Sequence, residues 1–119
     1  MTKEEIIADI RSYFGFTVFS GYSNYYVGIT NDINRRLFDE HNVSEQKDYW
    51  IYRTADSKSI AQKVEEYFLS LGMQGDTGGG TDNTCIVYCY RITSSTIEYC
   101  CDFWNINNTL RTQRLLSEG

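Results

Sequence analysis

Apolar residues near the start of the chain fall at helical spacing. Ile6, Ile7, Ile10, Tyr13 and Phe14 share one face of a 3.6-residue repeat. Thr2 and Glu5 stand ahead of them as a Ser/Thr-x-x-Glu capping box. The pattern predicts a helix over residues 2–14, built for packing, or for oligomerisation where its stripe is left uncovered. The rhythm then changes. Phe-Thr-Val-Phe-Ser at 16–20 and Tyr-Tyr-Val-Gly-Ile at 25–29 are rich in β-formers and flank the turn Gly21-Tyr22-Ser23-Asn24, which predicts a hairpin. Asn31 and Asp32 open a helix to about His41, with Ile33, Leu37 and Phe38 turned inward. A third strand is expected over 49–53.

Asp56 and Ser57 cap a further helix whose apolar face is Ile60, Ala61, Val64, Phe68 and Leu71, and Gly72 terminates it. Residues 84–92 alternate, with Cys85, Val87 and Cys89 on one face and Ile86, Tyr88, Tyr90 and Ile92 on the other. Both faces are fairly apolar, which suits a central strand or an interface. A last strand is expected over 97–104, and a short helix carrying Arg111 and Arg114 over 108–116. No repeat or linker divides the chain. The order predicts one α+β domain: a small mixed or antiparallel sheet flanked by helices, with an added N-terminal helix and a C-terminal extension around a core at about 16–92.

Composition narrows the setting. At 119 residues and 41% hydrophobic, the chain suits a single globular core. No apolar run approaches the roughly 20 residues of a membrane span, and the charged start lacks a signal-peptide core, so a cytoplasmic protein with no membrane partner is expected. A net charge of −5 disfavours an extended grip on duplex DNA and repels a long polyanion more than a small one. Cys85, Cys89, Cys100 and Cys101 form no CxxC pair and His41 is the sole histidine, so no zinc site is expected and all four cysteines should be thiols. The glycine-rich run at 75–83 reads as a connector, or as a source of backbone N–H groups for an anion; no Gly-Lys-Ser/Thr follows, so it is not a P-loop.

The candidate chemistry lies at 25–41. A strand ending in Tyr26-Val27-Gly28, a Thr30-Asn31-Asp32 turn, and a helix with Arg35, Arg36 and then His41 bring a phenol, a cation and an imidazole to one strand-to-helix corner. This set suits a phosphodiester.

Tyr26-Val27-Gly28 and the run from Ile29 to Leu37 resemble the second motif of the GIY-YIG nuclease family, with Arg36 at the catalytic arginine. Ala61-x-x-Val64-Glu65 resembles that family's later helix, whose glutamate holds the metal, and Asn83 sits near its late asparagine. The resemblance implies Tyr26 as general base, Arg36 neutralising phosphate charge, His41 orienting groups or shuttling a proton, and Glu65 holding one Mg²⁺ or Mn²⁺. Tyr25, Gly28, Thr30, Arg35 and Asn83 would line the ligand. The chain departs from the family in three places. Gly15-Phe16-Thr17 stands where the first motif belongs and lacks its tyrosine. His41 follows Arg36 by five residues rather than four. The segment at 42–48 is short and slightly acidic where many small members carry a basic loop.

Plainer roles compete: strand aromatics for Tyr25 and Tyr26, a solvated face for Arg35, a helix terminus for His41, a surface carboxylate for Glu65. Three functions are expected. The first is binding of a nucleotide, cyclic nucleotide or nucleic acid with little or no cleavage, as in a phage or mobile-element protein that sequesters a signal or blocks a host factor. The second is a Mg²⁺- or Mn²⁺-dependent endonuclease using Tyr26, Arg36 and Glu65. The third is a structural homo-oligomeric domain. The altered first motif, the acidic charge and the missing basic loop favour the first.

Overall fold

The computed structural model describes residues 1–17, 21–75 and 84–98. The first helix, α1 (Lys3–Phe14), begins as its sequence dictates. Thr2 Oγ1 accepts the Glu5 N–H at 3.2 Å, and Glu5 Oε1 accepts the Thr2 N–H at 2.9 Å. It stops at Gly15, which takes the left-handed conformation (φ 69°) that glycine adopts without penalty. Ile6 and Ile10 are fully buried. The second α-helix, α2 (Lys58–Ser70), is capped by the Ser57 hydroxyl, which accepts the Ile60 N–H.

Three strands form one antiparallel sheet: β1 (Tyr25–Thr30), β2 (Trp50–Thr54) and β3 (Ile86–Arg91), in the order β1-β3-β2. Gly28 faces Tyr88 across one ladder and Tyr52 faces Tyr88 across the other. The strand that is apolar on both faces is therefore the central one. Its alternation divides the core into two layers. Val27, Ile29, Ile51, Val87 and Cys89 pack with Ile6 and Ile10 of α1 and with Ala61, Val64 and Phe68 of α2. Tyr26, Tyr88, Tyr90, Leu37 and Val43 form the second cluster on the opposite face. The fold is α+β, and no helix among the described residues is long and apolar enough to cross a membrane.

Several expectations are corrected. Phe16 and Thr17 lie in no strand, and the rest of the expected first hairpin strand, 18–20, falls outside the described residues. Phe16 instead joins an aromatic cluster with Phe14, Tyr22 and Tyr25, at ring separations of 4.6–5.5 Å. The outer edge of β1 meets the chain leaving α2: Val27 N–H donates to Gln74 O and Gln74 N–H to Tyr25 O, both at 2.9 Å. The helix expected after Asp32 is a π-helix over Asn34–Glu40, without a side-chain cap at Ile33. Ile97 and Glu98 are not in a strand; the rest of the expected final strand, the C-terminal helix, Asn83 and most of the glycine-rich run lie outside the described residues.

Candidate functional site

The second face of the sheet carries a connected polar network inside an aromatic cluster. Tyr88 sits at its centre because Gly28, directly opposite on β1, has no side chain. A Cβ at Gly28 would lie 2.4 Å from Tyr88 Oη and 2.5 Å from Cζ, so only glycine leaves room for this ring. The Tyr26 ring lies nearly parallel to those of Tyr88 and Tyr90, at centroid distances of 6.2 and 5.4 Å.

Arg36 and His41 approach Tyr88 from the π-helix and its end. Arg36 Nε–H donates to Tyr88 Oη at 3.2 Å, and His41 Nε2 lies 2.8 Å from the same oxygen. The other ring nitrogen, Nδ1, is 2.5 Å from the Ile97 carbonyl. A carbonyl only accepts, so neutral His41 carries its proton on Nδ1, and Nε2 accepts the Tyr88 hydroxyl proton. Tyr90 Oη lies 3.0 Å from Nδ1 and donates its own proton to Glu98 Oε2 at 2.9 Å. Directional hydrogen bonds thus run from Arg36 through Tyr88 to His41, and from Tyr90 to Glu98.

His41 is 1% exposed. Burial is the main cause that lowers its pKa from 6.5 to about 4; the Ile97 carbonyl opposes this, Arg36 adds to it, and Glu40 opposes it. Burial, and then the Glu98 carboxylate, push the Tyr90 phenol well above its ordinary value. Burial thus favours the neutral forms of His41 and Tyr90 within the network, whose outer members are the Arg36–Glu40 ion pair and Glu98. Arg36 Nη1 pairs with Glu40 Oε1 at 3.0 Å, and its side chain keeps 26% of its surface in solvent.

The structure brings Tyr26, Arg36 and His41 together. Gly28 lies within this site opposite Tyr88, Asn83 is outside the described residues, and Tyr25, Thr30, Arg35 and Glu65 have other surroundings. Tyr25 points to the first face, edge-on to Phe14. Thr30 ends β1, and its hydroxyl accepts the Asp32 N–H at 3.0 Å. Arg35 is paired with Glu40 and Asp32 at the surface. Glu65 is 2% exposed, on the helix that packs against the first face, so it is not the surface carboxylate that its charge suggests. Sequence reasoning missed Tyr88, Tyr90, Glu40 and Glu98. The alternation of β3 did put Tyr88 and Tyr90 on one face, which was the available signal.

No group of three or more His, Cys, Asp or Glu among the described residues is arranged to hold a metal ion. A hard ion such as Mg²⁺ takes one or two carboxylates together with water and substrate phosphate. Glu65, the carboxylate expected to hold such an ion, is buried on α2. Comparison of the chain with protein-family models, curated proteins and solved structures returns no match.

Proposed function

We propose that the chain recognises a phosphodiester, as a nucleotide, a cyclic nucleotide or a short stretch of nucleic acid, through Arg36. One observation carries the reading: Arg36 Nε is held on Tyr88 Oη, which is itself held on His41 Nε2. A guanidinium fixed along one edge and 26% exposed loses little freedom when it meets an anion. The resemblance of Tyr26-Val27-Gly28 and Arg36 to the GIY-YIG motif supports the same ligand class. The net charge of −5 favours a small ligand over a long duplex. Calorimetric titration with cyclic dinucleotides and a single-stranded hexanucleotide tests this. Arg36→Gln should weaken binding by about tenfold or more, as expected for a charge-assisted contact worth ~1.5–3 kcal/mol; equal affinity in the two proteins defeats the reading.

A second reading, hydrolysis, is favoured by two features of the same network. Tyr88 supplies the phenol missing from Gly15-Phe16-Thr17, and its proton already points at a neutral imidazole. Incubation of plasmid and oligonucleotides with Mg²⁺ or Mn²⁺ separates the readings. Cleavage lost in both Tyr88→Phe and Glu65→Ala would establish an endonuclease; binding without cleavage leaves recognition standing.

A further inference from the structure

We propose a second ligand site, on the opposite face of the sheet from Arg36: a cleft for one unpaired nucleotide, with its base against tyrosine and its phosphate on Arg91. The register creates it. Arg91 at the end of β3 faces Tyr25 across one ladder, and its backbone N–H donates to Tyr49 O on the other side at 3.0 Å. The side chains of Tyr25, Arg91 and Tyr49 thus form a row across three neighbouring chain segments, beyond the last core residues Val27, Cys89 and Ile51 of the same face. Tyr13 and Phe14 at the end of α1 close the cleft, and the aromatic contacts Tyr13–Phe14 (4.8 Å) and Phe14–Tyr25 (4.9 Å) brace that wall.

Three observations point to a planar anion. No carboxylate is among the described residues that line the cleft, in a chain whose net charge is −5. Among the described residues, Arg11, Arg35, Arg36 and Arg53 each bond another side chain, whereas Arg91 bonds none. Tyr49 and Tyr13 hold 60% and 48% of their surface in solvent, so two ring faces stand beside an uncommitted guanidinium. Aromatic rings stack on any base, and arginine supplies both cation–π attraction and a phosphate contact. The cleft, at about 180 Å³, is smaller than the ~300–1,000 Å³ of sites that engulf a whole ligand. It therefore contacts one side of the nucleotide, through base and phosphate, and leaves the remainder in solvent, as a strand requires.

The test uses the full chain and fluorescence anisotropy of a labelled single-stranded hexanucleotide, with unlabelled AMP, dAMP and adenosine as competitors. Tyr49→Ala and Arg91→Glu should each weaken binding about tenfold, within the range for losing a stacked base. Arg91→Lys should fall between Arg91→Glu and the parent. AMP should compete better than adenosine if the phosphate is read; competition by AMP assigns a free nucleotide, and competition only by unlabelled strand assigns a nucleic acid. Parent-like affinity in the Tyr49→Ala/Arg91→Glu double variant overturns the proposal, as does a parent chain that binds none of these probes. Loss in Arg36→Gln with no change in the double variant would sink this site and leave the Arg36 reading intact. The reverse pattern would do the opposite.

Discussion

His41 donates its backbone N–H to the carbonyl of Arg36, five residues earlier, at 3.0 Å. On an α-helix a residue five positions on lies ~140° around the axis from its reference. The π-turn takes up the surplus residue, and the side chains of Arg36 and His41 both reach Tyr88 Oη. Deleting the exposed Asp39 should return the turn to α geometry and keep the two side chains in line. Inserting one alanine after Phe38 should turn His41 away. Heteronuclear NMR of the His41 ring reads both: the deletion retains its shifted signals, and the insertion moves them toward those of a solvated imidazole.

The histidine also gives a pH signature. Its folded pKa, about 4, lies below the unfolded value of 6.5, so the unfolded chain binds the extra proton between those limits. Its contribution to stability is complete above about pH 6.5 and is lost as pH falls toward 4, by about 3 kcal/mol in all. His41 is the only histidine, so its ring protons can be followed without assignment. A midpoint near 6.5 would show that the ring reaches water.

Removing one oxygen tests the network. Tyr88→Phe keeps the ring over Gly28 but leaves His41 Nε2 without a donor and Arg36 Nε without this acceptor. The expected loss is ~1–3 kcal/mol in urea unfolding, from buried polar groups left unmatched. A loss below a few tenths would mean that water or a neighbour replaces the hydroxyl.

Gly28→Ala tests the packing beneath it. The added methyl would stand 2.4–2.8 Å from Oη and two ring carbons of Tyr88, whose side chain cannot swing clear inside the second core cluster. Overpacking of this kind costs ~1–3 kcal/mol. Restoration of stability in Gly28→Ala/Tyr88→Ala, relative to Tyr88→Ala alone, would assign the cost to that contact.

Much of this was legible in the sequence, and the parts that were not share a cause. The helices α1 and α2 could be read because Thr2, Glu5 and Ser57 act within a few residues and the apolar stripes are local. The faces of β3 could be read from simple alternation. The partner of β1 could not, because pairing Val27 with Cys89 spans most of the domain, while the nearer candidate, Phe16, was drawn into an aromatic cluster. The π-turn was hidden because a one-residue surplus looks like a misplaced histidine until the backbone bond from His41 to Arg36 is seen. Tyr88 was assigned its face but not its neighbours, since Arg36 and His41 lie about fifty residues away. The burial of Glu65 was not legible, because charge alone argues for the surface.

The sheet order has a consequence for biosynthesis. The middle strand is the last of the three to be translated, so β1 leaves the ribosome with only the Gln74 bridge on its outer edge and β2 with no strand partner. At ~5–20 residues per second, roughly 3–12 s separate the end of β1 from the end of β3. Over that interval two β-rich segments expose unpaired edges, and neither Arg36 nor His41 has the phenol on which it rests. A nascent chain arrested before Ile86 should therefore be soft to protease and dependent on chaperones, and one released past Glu98 should harden in a single step.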